Sequence, residues 1–192
     1  MISELFNKHV EAINKGFASL NQDELSGAAI ALHQAFCFGD TVFVCGNGAS
    51  ASIAQHMACD FTKGTRNDEK RYFPKVVSLS ANIPLMTAIA NDIDYNEVYS
   101  YQLESMAKSS DTLVVISSSG NSPNIIRAIE VAQDMGLLVI ALTGFDGGKA
   151  RELADIKLHV NVPEYEATED CHQAIMQLLA KICRTAVLSE VL

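Results

Sequence analysis

A hydroxyl-rich glycine turn after an apolar run is the first sign of chemistry in this sequence. Residues 113–116 form a continuous apolar, β-branched run that breaks into three serines and Gly120, which predicts a buried strand ending in a polar turn. Asn121 or Ser122 can cap the helix that follows, and Pro123 suits its first turn. The unpaired N–H groups and dipole of a helix N-terminus, with hydroxyls beside them, suit a phosphate. A serine-rich loop that merely caps its helix is an equally weighted alternative.

A second pattern of strand, polar turn and helix begins at Thr41. Residues 41–45 predict a strand that opens into residues 46–51, Gly-Asn-Gly-Ala-Ser-Ala. This segment satisfies the G-x-G-x-x-A pattern of dinucleotide sites, but such sites also need an acidic residue at the end of the second strand. Here the second strand ends in residues 79–81, Leu-Ser-Ala. We therefore expect no nucleotide cofactor.

Two groups of polar residues lie on predicted helices. His56 and Asp60 are four residues apart, so they share a helix face and could act as metal ligands or as a proton relay. A surface ion pair without a chemical role is the simpler interpretation. The second group occupies the start of the apolar C-terminal helix and comprises Glu169, Asp170, His172, Gln173 and Gln177. Acidic residues in a first helical turn also complement the helix dipole, so this group alone is weak support for a site.

Two helices precede the first predicted strand. Five apolar residues recur at intervals of four, three, four and three along the first helix, namely Phe6, Val10, Ile13, Phe17 and Leu20. Such a narrow seam predicts a partner helix. The second helix is predicted from about Asp23 to Phe38.

The rest of the sequence alternates predicted strands and helices. Further strands are predicted at 75–79, 113–116, 137–142 and 156–162, a helix at about 96–107, and a long helix at 166–192. Strands separated by helices predict an α/β protein with a doubly wound, five-stranded parallel sheet in flavodoxin-like order. The ligand site of such a sheet lies beyond the carboxyl ends of its strands. We expect a single domain over residues 1–192, with a helical arm at 1–38 and an α/β core at 39–192.

Composition narrows the class of partner. The chain has 192 residues, a formal net charge of −9 and only 14 lysines and arginines, which argues against direct nucleic-acid binding. The five cysteines form no C-x-x-C pair and are expected to be free thiols in a reducing compartment. No basic leader and no apolar run of about 18 residues occurs. We therefore expect a cytoplasmic protein with no membrane contact.

Five segments, taken together and in order, resemble the sugar isomerase (SIS) family, and within it the phosphoheptose isomerases. They are Cys-Gly-Asn-Gly-Ala-Ser-Ala at 45–51, Ala-Gln-His-Met-Ala at 54–58, Ala-Asn-Asp at 90–92, Ile-Ser-Ser-Ser-Gly-Asn-Ser at 116–122 and Leu-Thr-Gly-Phe-Asp-Gly-Gly at 142–148. The resemblance implies conversion of sedoheptulose 7-phosphate to D-glycero-D-manno-heptose 7-phosphate, a step in heptose synthesis for lipopolysaccharide. It also implies a homotetramer packed through the N-terminal and C-terminal helices, with sites shared between subunits.

The resemblance also implies roles for individual residues. It implies phosphate binding by Ser117, Ser118, Ser119 and Ser122. It implies substrate contacts from Asn47, Gly48, Ala49, Ser50, Asn91, Asp92 and Glu169.

The polar residues on the first and last helices of the core depart from the family pattern. The family places a His and a Glu four apart on the first helix and a Gln and a His eight apart on the last, where some members bind zinc. This chain keeps His56 but has Asp60, Glu169 and Gln177 at the other three positions, and these four are the candidate zinc ligands.

The departures have two interpretations. In one, the catalytic pair is lost, and the protein is a non-catalytic sugar-phosphate binder or adaptor, resembling the SIS protein that binds the bacterial replication initiator. In the other, Glu169 becomes the base that an enediol mechanism needs, and His172 replaces the missing imidazole. We favour the second, which makes Asp60, Glu169 and His172 the expected catalytic residues.

Overall fold

The structure, a computed structural model, describes residues 1–189, with side chains described up to residue 186. The predicted end of the last helix at Leu192 lies outside the described residues. Within the described part of the chain, no helix combines the length and apolar character needed to cross a bilayer. The helices are α1 (Ile2–Ser19), α2 (Gln22–Phe38), α3 (Ala49–Gly64), α4 (Ile83–Asp92), α5 (Ser100–Met106), α6 (Pro123–Asp134), α7 (Gly148–Leu153) and α8 (Tyr165–Ser189). The strands are β1 (Thr41–Gly46), β2 (Lys75–Ser78), β3 (Thr112–Ser117), β4 (Leu138–Thr143) and β5 (Ile156–His159).

All five strands are parallel and lie in the order β2-β1-β3-β4-β5. This is the flavodoxin-like order, so the predicted fold class is confirmed. The direction of winding reverses between β1 and β3, where Gly46 lies opposite Ile116. The polar turns that follow these two strands therefore begin side by side at the carboxyl edge of the sheet.

Each face of the sheet carries its own apolar core. Side chains alternate along β3, so Val114 and Ile116 pack with α2, α3 and α8, whereas Leu113 and Val115 pack with α5, α6 and α7. Every residue of β3 is buried. Burial on both faces explains why this strand reads as a continuous apolar run rather than as an alternating one.

The two N-terminal helices pack differently. Leu32 and Phe36 of α2 are buried in the core beneath the sheet. In contrast, α1 buries only Ala12 and Gly16, and a Cβ added at Gly16 would lie 2.7 Å from Cys171 Sγ on α8. The outer part of the predicted seam stays uncovered within the chain, since Phe6 is 66% exposed.

Some predicted boundaries shift for local reasons. The helix α2 begins at Gln22 rather than near Asp23, because the Asn21 side chain accepts hydrogen bonds from the N–H groups of Asp23 and Glu24. The helix predicted at 96–107 is divided into a 3-10 helix at Tyr95–Glu97 and α5. The strand predicted at 156–162 ends at His159.

Candidate functional site

The two polar turns after β1 and β3 are joined by side chains. Asn47 Nδ2 donates to Asn124 Oδ1 at 2.8 Å, and Asn124 Nδ2 donates to Asn47 Oδ1 at 2.9 Å. Gly48 has a φ of +56°, and no atom lies within 4 Å of where its Cβ would be. The backbone of the 46–50 turn is therefore open to a ligand at this point, whereas Ser50 is buried beneath it.

The turn after β3, residues 117–122, has the form predicted for an anion site. Ser117 Oγ accepts from the Gly120 N–H at 3.2 Å, and Ser119 Oγ accepts from the Asn121 N–H at 3.4 Å. Ser118 Oγ is buried and has no hydrogen-bond partner among the described residues. Ser122 precedes α6 without forming a side-chain cap. The Ser122 hydroxyl thus remains able to bond an added anion, beside a helix N-terminus that favours negative charge, whereas Ser118 Oγ lies beneath the surface of the turn.

The neighbouring turn between β4 and α7 holds the serine turn in place. The Ala150 N–H donates to the Gly120 carbonyl at 2.9 Å, and the Gly144 N–H donates to the Ser118 carbonyl at 2.9 Å. The two turns therefore form one rigid edge of the site.

A cavity of about 750 Å³ opens beside the serine turn, at the carboxyl ends of β4 and β5. Its walls include Ser119, Arg151 and His159. His159 Nδ1 lies 3.1 Å from Thr143 Oγ1, and burial, followed by the charge of Arg151, lowers the pKa of His159. The sequence analysis assigned no role to Arg151 or His159. The position of His159 as the last residue of β5, at the carboxyl edge of the sheet, is the signal that could have found it.

The half-exposed imidazole of His56 has a partner on each ring nitrogen. Gln173 Nε2 lies 2.9 Å from His56 Nδ1, and Asp60 Oδ2 lies 3.1 Å from His56 Nε2. In this arrangement the amide NH₂ of Gln173 donates to Nδ1, and Nε2 faces the Asp60 carboxylate. Gln173 was noticed in the sequence without a role, and the structure brings it to His56.

Glu169 lies on α8 one helical turn before Gln173. Burial raises the pKa of Glu169, and the nearby charges of Glu166 and Asp170 raise it further. A carboxylate with a raised pKa is suited to proton transfer near neutrality. The role of Glu169 as the base stays a prediction.

The four candidate zinc ligands do not converge on one point. His56 and Asp60 face each other, and Asp60 and Gln177 line a second cavity of about 470 Å³ between α3 and α8, which also contains Lys63, Lys181 and Arg184. Within residues 1–189, no three His, Cys, Asp or Glu side chains lie together in a way that could hold a metal ion. Zinc sites in proteins use three or four such ligands, so this donor set does not fit a zinc centre within the chain.

His172 is in a different environment from the one its predicted role needs. The side chain is 0% exposed, and neither ring nitrogen has a hydrogen-bond partner among the described residues. Burial lowers the pKa of His172 to about 4, which the Thr143 backbone partly opposes. His172 is therefore a neutral imidazole near pH 7 without access to a ligand, and the structure gives no support to its use as a proton carrier.

The stability of the protein should fall in mild acid because of His172. Its pKa is about 4 in the folded state against 6.5 ordinarily, so the unfolded chain binds the extra proton as the pH falls below 6.5. The folded state should lose on the order of 3 kcal/mol between pH 6.5 and 4 through this group. Urea unfolding at several pH values, compared between the parent chain and His172→Leu, measures the effect. An equal loss in both proteins would assign the acid sensitivity to other groups.

Asn91 and Asp92 lie at the exposed end of α4. Asn91 Nδ2 donates to Asp92 Oδ1 at 2.7 Å, and neither side chain is shown bonded to the turns. The 3-10 helix that follows reaches the first turn, where the Tyr95 hydroxyl donates to Asn47 Oδ1 at 3.2 Å.

Comparison with known proteins gives a consistent result. The SIS domain family matches residues 5–144. The chain is similar to the phosphoheptose isomerases of Helicobacter pylori (strain P12), with 36% identity over 93% of this chain and 92% of that protein, and of Aliarcobacter butzleri (strain RM4018), with 39% identity over 87% of each. It is also similar to the solved phosphoheptose isomerase of Neisseria gonorrhoeae, with a TM-score of 0.87, 29% identity, and coverage of 96% of this chain and 97% of that one. The Francisella tularensis enzyme gives a TM-score of 0.88 with 29% identity and 96% coverage of each chain.

Proposed function

The chain belongs to the phosphoheptose isomerases of the SIS-domain family, and from this we propose that it converts sedoheptulose 7-phosphate to D-glycero-D-manno-heptose 7-phosphate. The observation that carries the proposal is the serine turn at the N-terminus of α6, joined to the open backbone of the 46–50 turn. The first binds the phosphate and the second binds the sugar. The relatives are named as isomerases, so the non-catalytic adaptor is not favoured.

Phosphate binding in this proposal uses neutral donors rather than a fixed cation. The hydroxyls of the serine turn and the first N–H groups of α6 surround the anion, and the helix dipole adds partial positive charge. The phosphate ligands are Ser117, Ser118, Ser119 and Ser122. The proposed substrate contacts on the sugar side are Asn47, Gly48, Ala49, Ser50, Asn91, Asp92 and Glu169.

The isomerisation needs two proton transfers, one between adjacent carbons and one between the oxygens that they carry. We assign the base to Glu169, which removes a proton from carbon 1 of the ketose to form an enediol and then returns a proton to carbon 2. A second proton must move between the two sugar oxygens. We assign this transfer to the His56–Asp60 pair, because His56 is partly exposed whereas His172 is fully buried. No step of this mechanism is routed through zinc.

Incubation of the purified protein with sedoheptulose 7-phosphate in D₂O tests the proposed reaction. The expected result is formation of the aldose, together with deuterium uptake at the carbon next to the carbonyl, followed by NMR. Exchange at that carbon reports the enediol directly. Binding of the sugar phosphate with neither exchange nor aldose would overturn the isomerase and favour a non-catalytic binder.

Ser119→Ala should weaken substrate binding without removing the chemistry. One hydroxyl donor to a phosphate contributes about 1.5 kcal/mol, so KM should rise about tenfold while kcat stays within about a factor of two. Steady-state kinetics of the variant measure both constants. Ser26→Ala is the matched control, because the exposed Ser26 hydroxyl donates only to the Gln22 carbonyl within α2. A KM unchanged in Ser119→Ala would remove Ser119 from the phosphate site.

We further propose that residues 1–192 form one SIS domain that assembles as a cytoplasmic homotetramer with shared sites. The exposed apolar side chains of α1 support assembly, namely Ile2, Leu5, Phe6, Val10 and Phe17. A second copy of the chain could cover this face, as the seam in the sequence predicts. Analytical ultracentrifugation measures the oligomeric state, and a monomer at micromolar concentration would contradict the proposal.

A further inference from the structure

Asn124 is a buried carboxamide that has no role in the proposed mechanism. It is the second residue of α6 and is 1% exposed. A buried amide costs free energy unless its donors and acceptor are paired, and Asn124 obtains its partners from the Asn47 side chain. The two hydrogen bonds of 2.8 and 2.9 Å are reciprocal, so exchanging oxygen and nitrogen in both groups would preserve the pair. We call this contact the Asn47–Asn124 pair.

Two tyrosine hydroxyls also form hydrogen bonds with the first turn, at the Asn47 side chain and the Gly46 carbonyl. The Tyr95 hydroxyl donates to Asn47 Oδ1 at 3.2 Å. The Tyr99 hydroxyl donates to the Gly46 carbonyl and lies 3.1 Å from Asn47 Oδ1. Tyr99 is only 1% exposed, so its hydroxyl group is held in place by the surrounding core. The Asn47 carboxamide oxygen is therefore fully engaged within the protein.

The hydrogen bonds of the Asn47 side chain limit which groups of the first turn can bind a sugar. The oxygen accepts from Asn124, Tyr95 and Tyr99 and has no acceptor capacity left for a ligand, whereas Nδ2 uses one of its two N–H groups on Asn124 and keeps the other. The groups of this turn that can face a ligand are then the second Nδ2 N–H of Asn47 and the backbone atoms near Gly48, where there is open space. The side chain of Asn47 sets the position of that backbone.

We propose that Asn124 and Tyr99 are positioning residues that fix the 46–50 turn relative to the N-terminus of α6. The sheet pairs β1 with β3 only as far as Gly46 and Ile116, so beyond the sheet the Asn47–Asn124 pair directly links the 46–50 turn to the first turn of α6. The link sets the distance between the phosphate and the reacting carbons. This inference rests on the proposed function, in which one substrate contacts both turns.

The proposal predicts a specific kinetic change. A shift of about 1 Å between the phosphate and the reacting centre can lower a rate by about 100-fold. Asn124→Ala should therefore lower kcat/KM for sedoheptulose 7-phosphate by about 10- to 100-fold, whereas the Kd of inorganic phosphate should change by less than about threefold. Asn124→Asp should behave like Asn124→Ala, since a carboxylate cannot donate to Asn47 Oδ1. Tyr99→Phe should change kcat/KM in the same direction.

Two control variants separate positioning from stability. Asn21→Ala removes the side-chain cap of α2 and should lower Tm without changing kcat or KM. Tyr72→Phe removes another buried hydroxyl, which lies 3.2 Å from His33 Nδ1, and should also leave the kinetics unchanged. A fall in Tm alone therefore does not reproduce the result expected for Asn124.

The experiment measures isomerisation kinetics together with calorimetric binding of sedoheptulose 7-phosphate and of inorganic phosphate. Wild-type kcat and KM in both Asn124→Asp and Tyr99→Phe would overturn the positioning role, as would an equal loss of affinity for both ligands. If the parent protein binds the sugar phosphate without turnover, the proposed function fails. The positioning role is then judged by whether the variants lose affinity for the sugar phosphate but not for phosphate. A parent protein that binds neither ligand would overturn both proposals.

Discussion

Glu169→Gln should lower kcat by about 1,000-fold while leaving KM within about a factor of three. The side chains have the same shape, but an amide cannot accept the carbon-bound proton, and general base catalysis contributes about 10²- to 10⁴-fold. Because burial and the neighbouring acids raise the pKa of Glu169, kcat of the parent enzyme should fall with acid at a pH above the ordinary range for glutamate. This fall of kcat with acid should be absent from the residual activity of the Glu169→Gln variant. Steady-state kinetics across pH measure both effects.

Glu166→Gln is the matched control for this prediction. Glu166 lies in the first turn of α8, three residues before Glu169, and is exposed, so its neutralisation removes a charge near Glu169 without removing the base. Its kcat should remain close to that of the parent enzyme, and the pH at which kcat falls with acid should be slightly lower. Equal losses in the two variants would mean that the charge of this turn matters rather than the Glu169 carboxylate.

Gly120→Ala should destroy the phosphate site and destabilise the fold by more than about 3 kcal/mol. Gly120 has a φ of +65°, and a Cβ there would lie 1.9 Å from the Gly147 carbonyl oxygen. A non-glycine residue in the left-handed region costs about 1 to 2 kcal/mol. The overlap with backbone atoms adds to this cost, because no side-chain rotation relieves it. Urea unfolding and calorimetric phosphate binding measure the two losses.

Gly39→Ala separates backbone strain from the overlap. Gly39 has a φ of +78°, but no atom lies within 4 Å of its added Cβ, and it precedes β1 at the opposite end of that strand. This variant should lose only about 1 kcal/mol of stability and should bind phosphate normally. Similar losses in Gly39→Ala and Gly120→Ala would show that the contact with the Gly147 turn is unimportant.

Much of the fold could be predicted because its signals are local. Residues 113–116 and 137–142 are apolar over the whole strand, and each is followed by turn residues, so strand order and handedness follow from general rules. The division of the helix predicted at 96–107 could not be predicted from apolar spacing. It depends on the Asp94 side chain, which accepts from the Asn96 N–H at 2.7 Å and tightens the chain there.

The part of the candidate site that one continuous segment forms could be predicted from the sequence. The serine turn needs only its own strand and helix, whereas the contact of Gln173 with His56 joins residues 117 positions apart. His172 illustrates the opposite problem. It shares a helical face with Ile175 and Leu179, three and seven positions later, and both are buried. Chemical reactivity suggested a role for this histidine, but helical periodicity places it in the core.

The position of α8 has a consequence for how the protein acquires its fold during synthesis. Although α8 follows the last strand, it packs against α1, α2 and α3, and Ile175, Met176 and Leu179 complete the core on that side of the sheet. A ribosome releases these residues only after all five strands. Until then, the apolar side chains of α2 and α3 that α8 covers stay exposed, and exposed apolar surface promotes aggregation of nascent chains. We expect the face of the sheet that carries α2, α3 and α8 to fold only after α8 has been synthesised. The growing chain then depends on chaperones until α8 packs against this face.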